Sequence, residues 1–143
     1  MSEVNLDRIR ELAGHLRDAV RQLRELGQPP RDLFVADPRA TNGAKYLLIV
    51  AAEAGLDICN HLAARRGARS PEDYADRMAI MAELGVIDDD LAARLMRLSR
   101  FRNLLVHLSA RLNDGEVHRV IRDDLGDLER YLTSVGRYLK AEI

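Results

Sequence analysis

Tryptophan is absent from this chain of 143 residues, and aromatic residues of all kinds make up only 4% of it. The core must therefore be filled with Leu, Ile, Val, Met and Ala. Cysteine occurs once, at Cys59. A single thiol excludes a disulfide framework and a cysteine-based metal site, and it fits a reducing cytoplasm. Lysine is almost missing as well: Lys45 and Lys140 apart, the Lys/Arg cations are all arginine. An excess of one charge is lacking too. The formal net charge of −1 excludes a globally basic nucleic-acid binder, so contact with a polyanion must come from local arginine clusters. No apolar run approaches the roughly 20 residues of a membrane helix. Met1-Ser2-Glu3-Val4 shows no charged and apolar leader, so a secretion signal is not expected. Strand-like alternation, internal repeats, low-complexity stretches, a Gly-rich phosphate loop, a nucleophile triad and zinc-finger spacing are all missing.

What is present is helical periodicity. The length suits one domain, 1–143, and 47% apolar with 31% charged residues is an ordinary globular balance. Residues 3–26 place Leu6, Ile9, Leu12, Leu16, Val20 and Leu23 at steps of three and four, an amphipathic helix, with Gly27 as its stop before Gln28-Pro29-Pro30. Residues 31–36 read as a connector whose large apolar side chains tuck over the bundle. Asp37-Pro38 is an N-cap followed by Pro at N1. It starts a helix reaching about Arg66 with the core stripe Ala44, Leu48, Ala51, Gly55, Ile58 and Leu62, and with Glu53, Asp57 and His61 on the opposite side. Ser70-Pro71 reads as another such start, for a short helix ending near Leu84. A fourth helix spans Asp88 to Leu112. A turn at Asn113-Asp114-Gly115 precedes a last helix from about Glu116, with Val117, Ile121, Leu125, Leu128, Leu132, Val135 and Leu139 inward. These elements predict an all-α, antiparallel bundle of four to five helices joined by short loops.

The fourth helix carries the candidate chemistry, in Arg100-Phe101-Arg102-Asn103-Leu104-Leu105-Val106-His107-Leu108-Ser109. At about 100° per residue, Arg102 and His107 project roughly 140° apart. Arg102 lies toward the edge of the stripe formed by Leu91, Leu95, Leu98 and Leu105, and His107 points nearly away from its centre. Leu104, Val106 and Leu108 fill much of the remaining girth, so this helix is expected to bury more than one side. A second copy packed there could bring its own Arg102 and His107 to the same cleft. Histidine titrates near neutrality and serves as a general acid or base, and arginine grips phosphate through paired donors. Together they suit attack by an RNA 2′-hydroxyl on its own 3′-phosphate, without a metal or cofactor. The alternative on spacing alone is a salt-bridged arginine and a hydrogen-bonded core histidine.

Two further constellations are weaker. Glu53-x3-Asp57-x3-His61 has one-turn spacing, but three ligands on one straight helix rarely converge on one ion, so a solvated or interfacial polar stripe is expected and no metal site is assigned. Arg65, Arg66, Arg69, Arg100 and Arg111 could track an RNA backbone or simply pair with the abundant carboxylates. Phe101 and Tyr74 are the aromatics that could stack an unpaired base.

An ordered series of segments extends the pattern: Glu53-Ala-Gly-Leu-Asp57-Ile-Cys-Asn-His61, Ala64-Arg65-Arg66-Gly67, Tyr74, Ala82-Glu83-Leu84-Gly85-Val86-Ile87, Phe101-Arg102-Asn103-Leu-Leu-Val-His107 and Asp124-Leu125-Gly126-Asp127-Leu128-Glu129. Over residues 53–135 the chain resembles the HepT-like toxins of the HEPN superfamily. The resemblance implies an all-helical homodimer, a metal-independent RNase site at the subunit interface, Arg102 and His107 as the catalytic pair, and Asn103 as their polar neighbour. It gives Glu53 and Asp57 a supporting place near the cleft. It also implies the toxin role in a type VII pair with an MNT-type nucleotidyltransferase antitoxin. In that family the motif continues His-x-Tyr, and the tyrosine receives AMP. Here Ser109 stands at that position, which argues against the usual modification. The other reading is a non-catalytic helical module that binds a nucleotide or a nucleotidyltransferase partner in the same cleft.

Overall fold

Apolar periodicity becomes a bundle because four long amphipathic helices have only one another against which to bury their stripes. The computed structural model describes residues 3–108 and 113–143. Seven helices occur among them: α1 (Leu6–Leu26), α2 (Arg31–Val35), α3 (Pro38–Arg65), α4 (Asp76–Glu83), α5 (Asp89–Leu108), α6 (Asp114–Asp123) and α7 (Leu125–Leu139), with no strand among the described residues. The long helices α1, α3, α5 and α7 alternate in direction. Asn5 at the head of α1 touches His61 near the end of α3, and Gly43 near the start of α3 faces Leu26 at the end of α1. The diagonal pair α3 and α7 runs parallel, joined by Tyr131 to Gly55 and by Tyr138 to Arg66. Helices α2, α4 and α6 are short additions to this up-down-up-down frame.

Local signals explain most of the helix ends. Asn5, Asp37 and Asn113 each accept a backbone N–H from their own first turn, the N-cap arrangement that satisfies otherwise orphaned donors. Gly67 and Gly85 sit at φ 63° and 79°, the left-handed conformation in which glycine stops a helix. Gly27 stops α1 differently. Its φ is −84°, so its value is its size: an added Cβ would sit 3.2 Å from Ile121 of α6.

Four expectations are corrected. Ser70-Pro71 does not start α4, which begins at Asp76. The Arg69 guanidinium grips Asp76 and Glu83, Asp76 accepts the Glu72 N–H at 2.9 Å, and Asp73 accepts that of Asp76 at 2.7 Å. These bonds fold residues 70–75 into turns instead. The 31–36 connector is itself a one-turn helix in which Phe34 is buried but Leu33 is 64% exposed. Asn113-Asp114-Gly115 is a helix start, not a free turn. The last helix breaks at Asp124, letting α6 lean on the α1–α2 connection, where buried His118 lies 3.0 Å from the Pro29 carbonyl.

The core is aliphatic as the composition requires, with Tyr131 and Phe34 as its two large buried aromatics. Tyr131 donates to the Gly55 carbonyl at 2.7 Å, a bond that contributes about 1 kcal/mol. The predicted α3 stripe, Ala44 to Leu62, is buried throughout. By length and composition α3 could cross a membrane, contrary to the reading from apolar runs, but half of its most apolar window is buried inside the protein. It is the central helix against which α1, α4 and α5 pack.

Candidate active site

Three elements converge beside the C-terminal half of α5: the middle of α3, the turn before α4, and α5 itself. Arg102 sits at their meeting point with its side chain only 12% exposed. An arginine this enclosed needs partners. One terminal nitrogen pairs with the Glu53 carboxylate of α3. The other donates to Asn103 Oδ1 at 3.1 Å. Tyr74 lies against the guanidinium with its ring centre 4.5 Å from Cζ, within cation–π range. Of the five N–H groups of an arginine, one remains on each terminal nitrogen without a partner among the described residues. The Nε–H is buried and unbonded.

His107 is placed differently. It is exposed and makes no hydrogen bond among the described residues. Five residues of helix carry it about 7.5 Å along the axis from Arg102 and about 140° around it. One chain therefore presents a fixed, half-hidden cation and an exposed imidazole on different sides of α5. The fold around them exposes apolar surface: Val106 is 43% exposed, Leu104 44% and Tyr46 66%. Tyr46, the half-buried Ile49 and Val50, and Glu53 follow one another along one face of α3.

The other candidates separate. Asp57 is exposed and has no ion pair among the described residues. His61 accepts the Asn5 N–H at 3.0 Å. Burial, then the charges of Arg65 and Arg8, lower its pKa from 6.5, favouring the neutral ring that this bond requires. Glu53 is committed to Arg102, so the three-residue stripe does not gather, and no cluster able to hold a metal occurs among the described residues. Arg66 donates to Tyr138 Oη at 3.0 Å, and Arg69 is held by Asp76 and Glu83. Both serve the scaffold. The Arg65 Nε is buried without a bond. Arg100 is exposed along a groove shared with Arg97, Phe101 and Leu104, between α5 and α6. Ser109 and Arg111 lie outside the described residues.

Arg77 was not expected from sequence. Its Cζ is 4.8 Å from the same Tyr74 ring that touches Arg102, and its Nε donates to Asn60 Oδ1 at 2.7 Å. Behind it, Cys59 donates its thiol to the Arg77 carbonyl at 3.1 Å. Burial pushes that thiol pKa up to about 12, which leaves it a poor nucleophile.

Residues 16–135 match the family described as Ribonuclease HepT-like. The chain belongs to the HepT-like ribonuclease family. Among its relatives, an Archaeoglobus fulgidus protein provisionally assigned as an RNase is 36% identical over 73 residues, 51% of this chain and 54% of that protein. The mRNA nuclease HepT of Shewanella oneidensis is 29% identical over 80 residues, 56% of this chain and 60% of that protein. The matched segments thus span between half and two thirds of these relatives. The fold of a toxin–antitoxin complex solved with AMP-PNP superposes with a TM-score of 0.85 at 21% identity, covering 92% of this chain and 98% of that one. YutE, a cytosolic Bacillus subtilis protein of unknown function, gives 0.85 at 20% identity, covering 98% and 94%. A tri-AMPylated Shewanella oneidensis HEPN toxin, solved with its MNT antitoxin, gives 0.84 at 21%, covering 92% and 98%. The HepT-like fold therefore extends over nearly the whole chain.

Proposed function

We propose that this HepT-like chain is a metal-independent endoribonuclease, the toxin of a toxin–antitoxin pair, acting on single-stranded RNA in the cytoplasm. The observation that carries the reading is the fixed guanidinium of Arg102, with one N–H on each terminal nitrogen unpartnered among the described residues, on the same helix as an exposed His107. In the reaction, His107 takes the proton of a 2′-hydroxyl. The 2′-oxygen attacks the adjacent phosphorus, and Arg102 stabilises the charge on the pentavalent phosphorane. The bond from phosphorus to the 5′-oxygen breaks, and a second imidazole protonates that oxygen. The products are a 2′,3′-cyclic phosphate and a 5′-hydroxyl. Glu53 and Asn103 position Arg102. Incubating the purified protein with single-stranded RNA and EDTA tests this: cleavage with 2′,3′-cyclic ends supports it, and intact RNA leaves a non-catalytic binding module.

A homodimer supplies the second imidazole. Arg102 and His107 project too far apart for one chain to aim both at one phosphate, whereas a second copy against the Tyr46, Val106 and Glu53 side completes the set. Light scattering at micromolar concentration should give twice the 16.1 kDa of one chain. Val106→Glu should yield a folded, inactive monomer, since the side chain is already 43% exposed. A monomeric parent protein overturns the dimer.

The partner we infer is a nucleotidyltransferase antitoxin, as in the solved toxin complexes. Ser109 replaces the tyrosine that the family modifies, so neutralisation proceeds by binding rather than through a stable adduct there. Intact mass of the co-expressed complex should show no AMP on Ser109, and an adduct mapping to that residue refutes this point.

A further inference from the structure

Tyr74 organises two guanidiniums, and only one of them has a place in the reaction described above. Arg102 lies 4.5 Å from the ring centre and Arg77 4.8 Å, so the two cations stand no further apart than those distances taken together. They differ in what holds them. Arg102 is paired with Glu53. Arg77 is held by a neutral group, the Asn60 side-chain oxygen, at 2.7 Å, and no carboxylate pairs with it among the described residues. That single bond uses Nε and leaves both terminal nitrogens, with their four hydrogens, uncommitted among the described residues. Arg69, a few residues away, shows the opposite arrangement, with its fork consumed by Asp76 and Glu83. A planar fork locked in orientation by an amide and an aromatic ring, and not neutralised, is built to receive an oxyanion.

We infer that Arg77, oriented by Tyr74 and Asn60, binds an RNA phosphate flanking the one held by Arg102. The inference rests on the ribonuclease reading of that site. Arg102 and Arg77 then form a two-phosphate track along one strand, with Tyr74 in contact with both. Asp57 shares the exposed face of α3 with Glu53 and Asn60, and its charge opposes the bound strand. Being exposed, it is screened by solvent and salt, and it limits the gain from Arg77 to that of an exposed ion pair. The track fixes where the strand lies without entering the bond-making step. Arg77 is therefore an RNA-binding residue, not a catalytic one.

The test compares the parent protein with Arg77→Ala and Arg77→Lys on short RNA, and measures affinity by anisotropy on the same sequence carrying 2′-deoxy at the cut site. Arg77→Ala should raise KM and Kd about fivefold, the upper worth of an exposed ion pair, with kcat unchanged. Arg77→Lys should recover part of the loss. The slope of log Kd against log salt should fall by about 0.7, one phosphate contact on a single strand. Replacing one flanking phosphate with a neutral methylphosphonate should weaken the parent protein but cost Arg77→Ala nothing more. A merely structural Arg77 would not move the salt slope. The inference is overturned if Arg77→Ala keeps the parent Kd and salt slope, or if every methylphosphonate costs both proteins equally. If the parent binds RNA without cutting it, the ribonuclease reading falls while the salt and methylphosphonate comparisons still decide this inference. If the parent neither binds nor cuts, both fall.

Discussion

Replacing His107 with alanine is expected to lower the rate of RNA cleavage by about 10²–10⁴-fold, the usual contribution of a positioned general acid or base. The imidazole is exposed and forms no bond with the described residues, so its removal strands no buried donor and leaves no cavity. The variant should unfold at the same denaturant concentration as the parent and remain dimeric. If each His107 serves one half of the proton transfer, mixing His107→Ala chains with parent chains should give heterodimers that are also slow, since each scissile phosphate needs both rings. EDTA should leave the parent rate unchanged, and 2′-deoxy substitution at the cut site should abolish it. Full activity in His107→Ala, or cleavage of the deoxy substrate, removes the mechanism.

The scaffold around that histidine was largely legible in the sequence, for a physical reason. An aliphatic core built on four long helices repeats its burial every three or four residues, so the α1 stripe from Ile9 to Leu23 and the α3 stripe from Ala44 to Leu62 can be read without a structure. Tyr131 escaped that reading. It sits between apolar positions Leu128 and Leu132, and only the Gly55 carbonyl across the core explains its polar tip. The start of α4 was misread because the N-cap and Pro pattern is local, while Arg69 captures Asp76 and Glu83 across a loop. The site divides the same way. Arg102 and His107 stand out by their cost on an apolar helix. One-turn spacing singled out Glu53 with Asp57 and His61, but its place near the cleft came only through family resemblance, because no periodicity links residues 49 apart. Arg77 carried no signal, since its meaning comes from Tyr74 and Asn60, on a turn and on another helix.

Arg102 should separate rate from stability in a direction opposite to that of its partner. Arg102→Met keeps an unbranched stem at this position but removes the charge that lies against Tyr74 and meets the phosphorane, so cleavage should fall by about 10²–10³-fold, as when one such donor is lost. Arg102→Lys should recover only part, because a point charge replaces a planar fork. Stability should hardly change in Arg102→Met. Glu53 is 40% exposed and returns to water, and the buried, unbonded Nε–H disappears. Glu53→Ala is the reverse case. It leaves the charge in place but strands a guanidinium only 12% exposed, which should cost about 1–3 kcal/mol, the desolvation penalty of an unsatisfied group. Its rate should fall less than that of Arg102→Met, and Glu53→Gln should restore most of the stability by supplying a neutral acceptor. Denaturant titration and single-turnover kinetics on the four variants decide the point. Equal stability losses in Arg102→Met and Glu53→Ala would mean that the pair is a scaffold ion pair like those of Arg69, because a guanidinium held only for the fold is missed as much as the carboxylate that pairs with it.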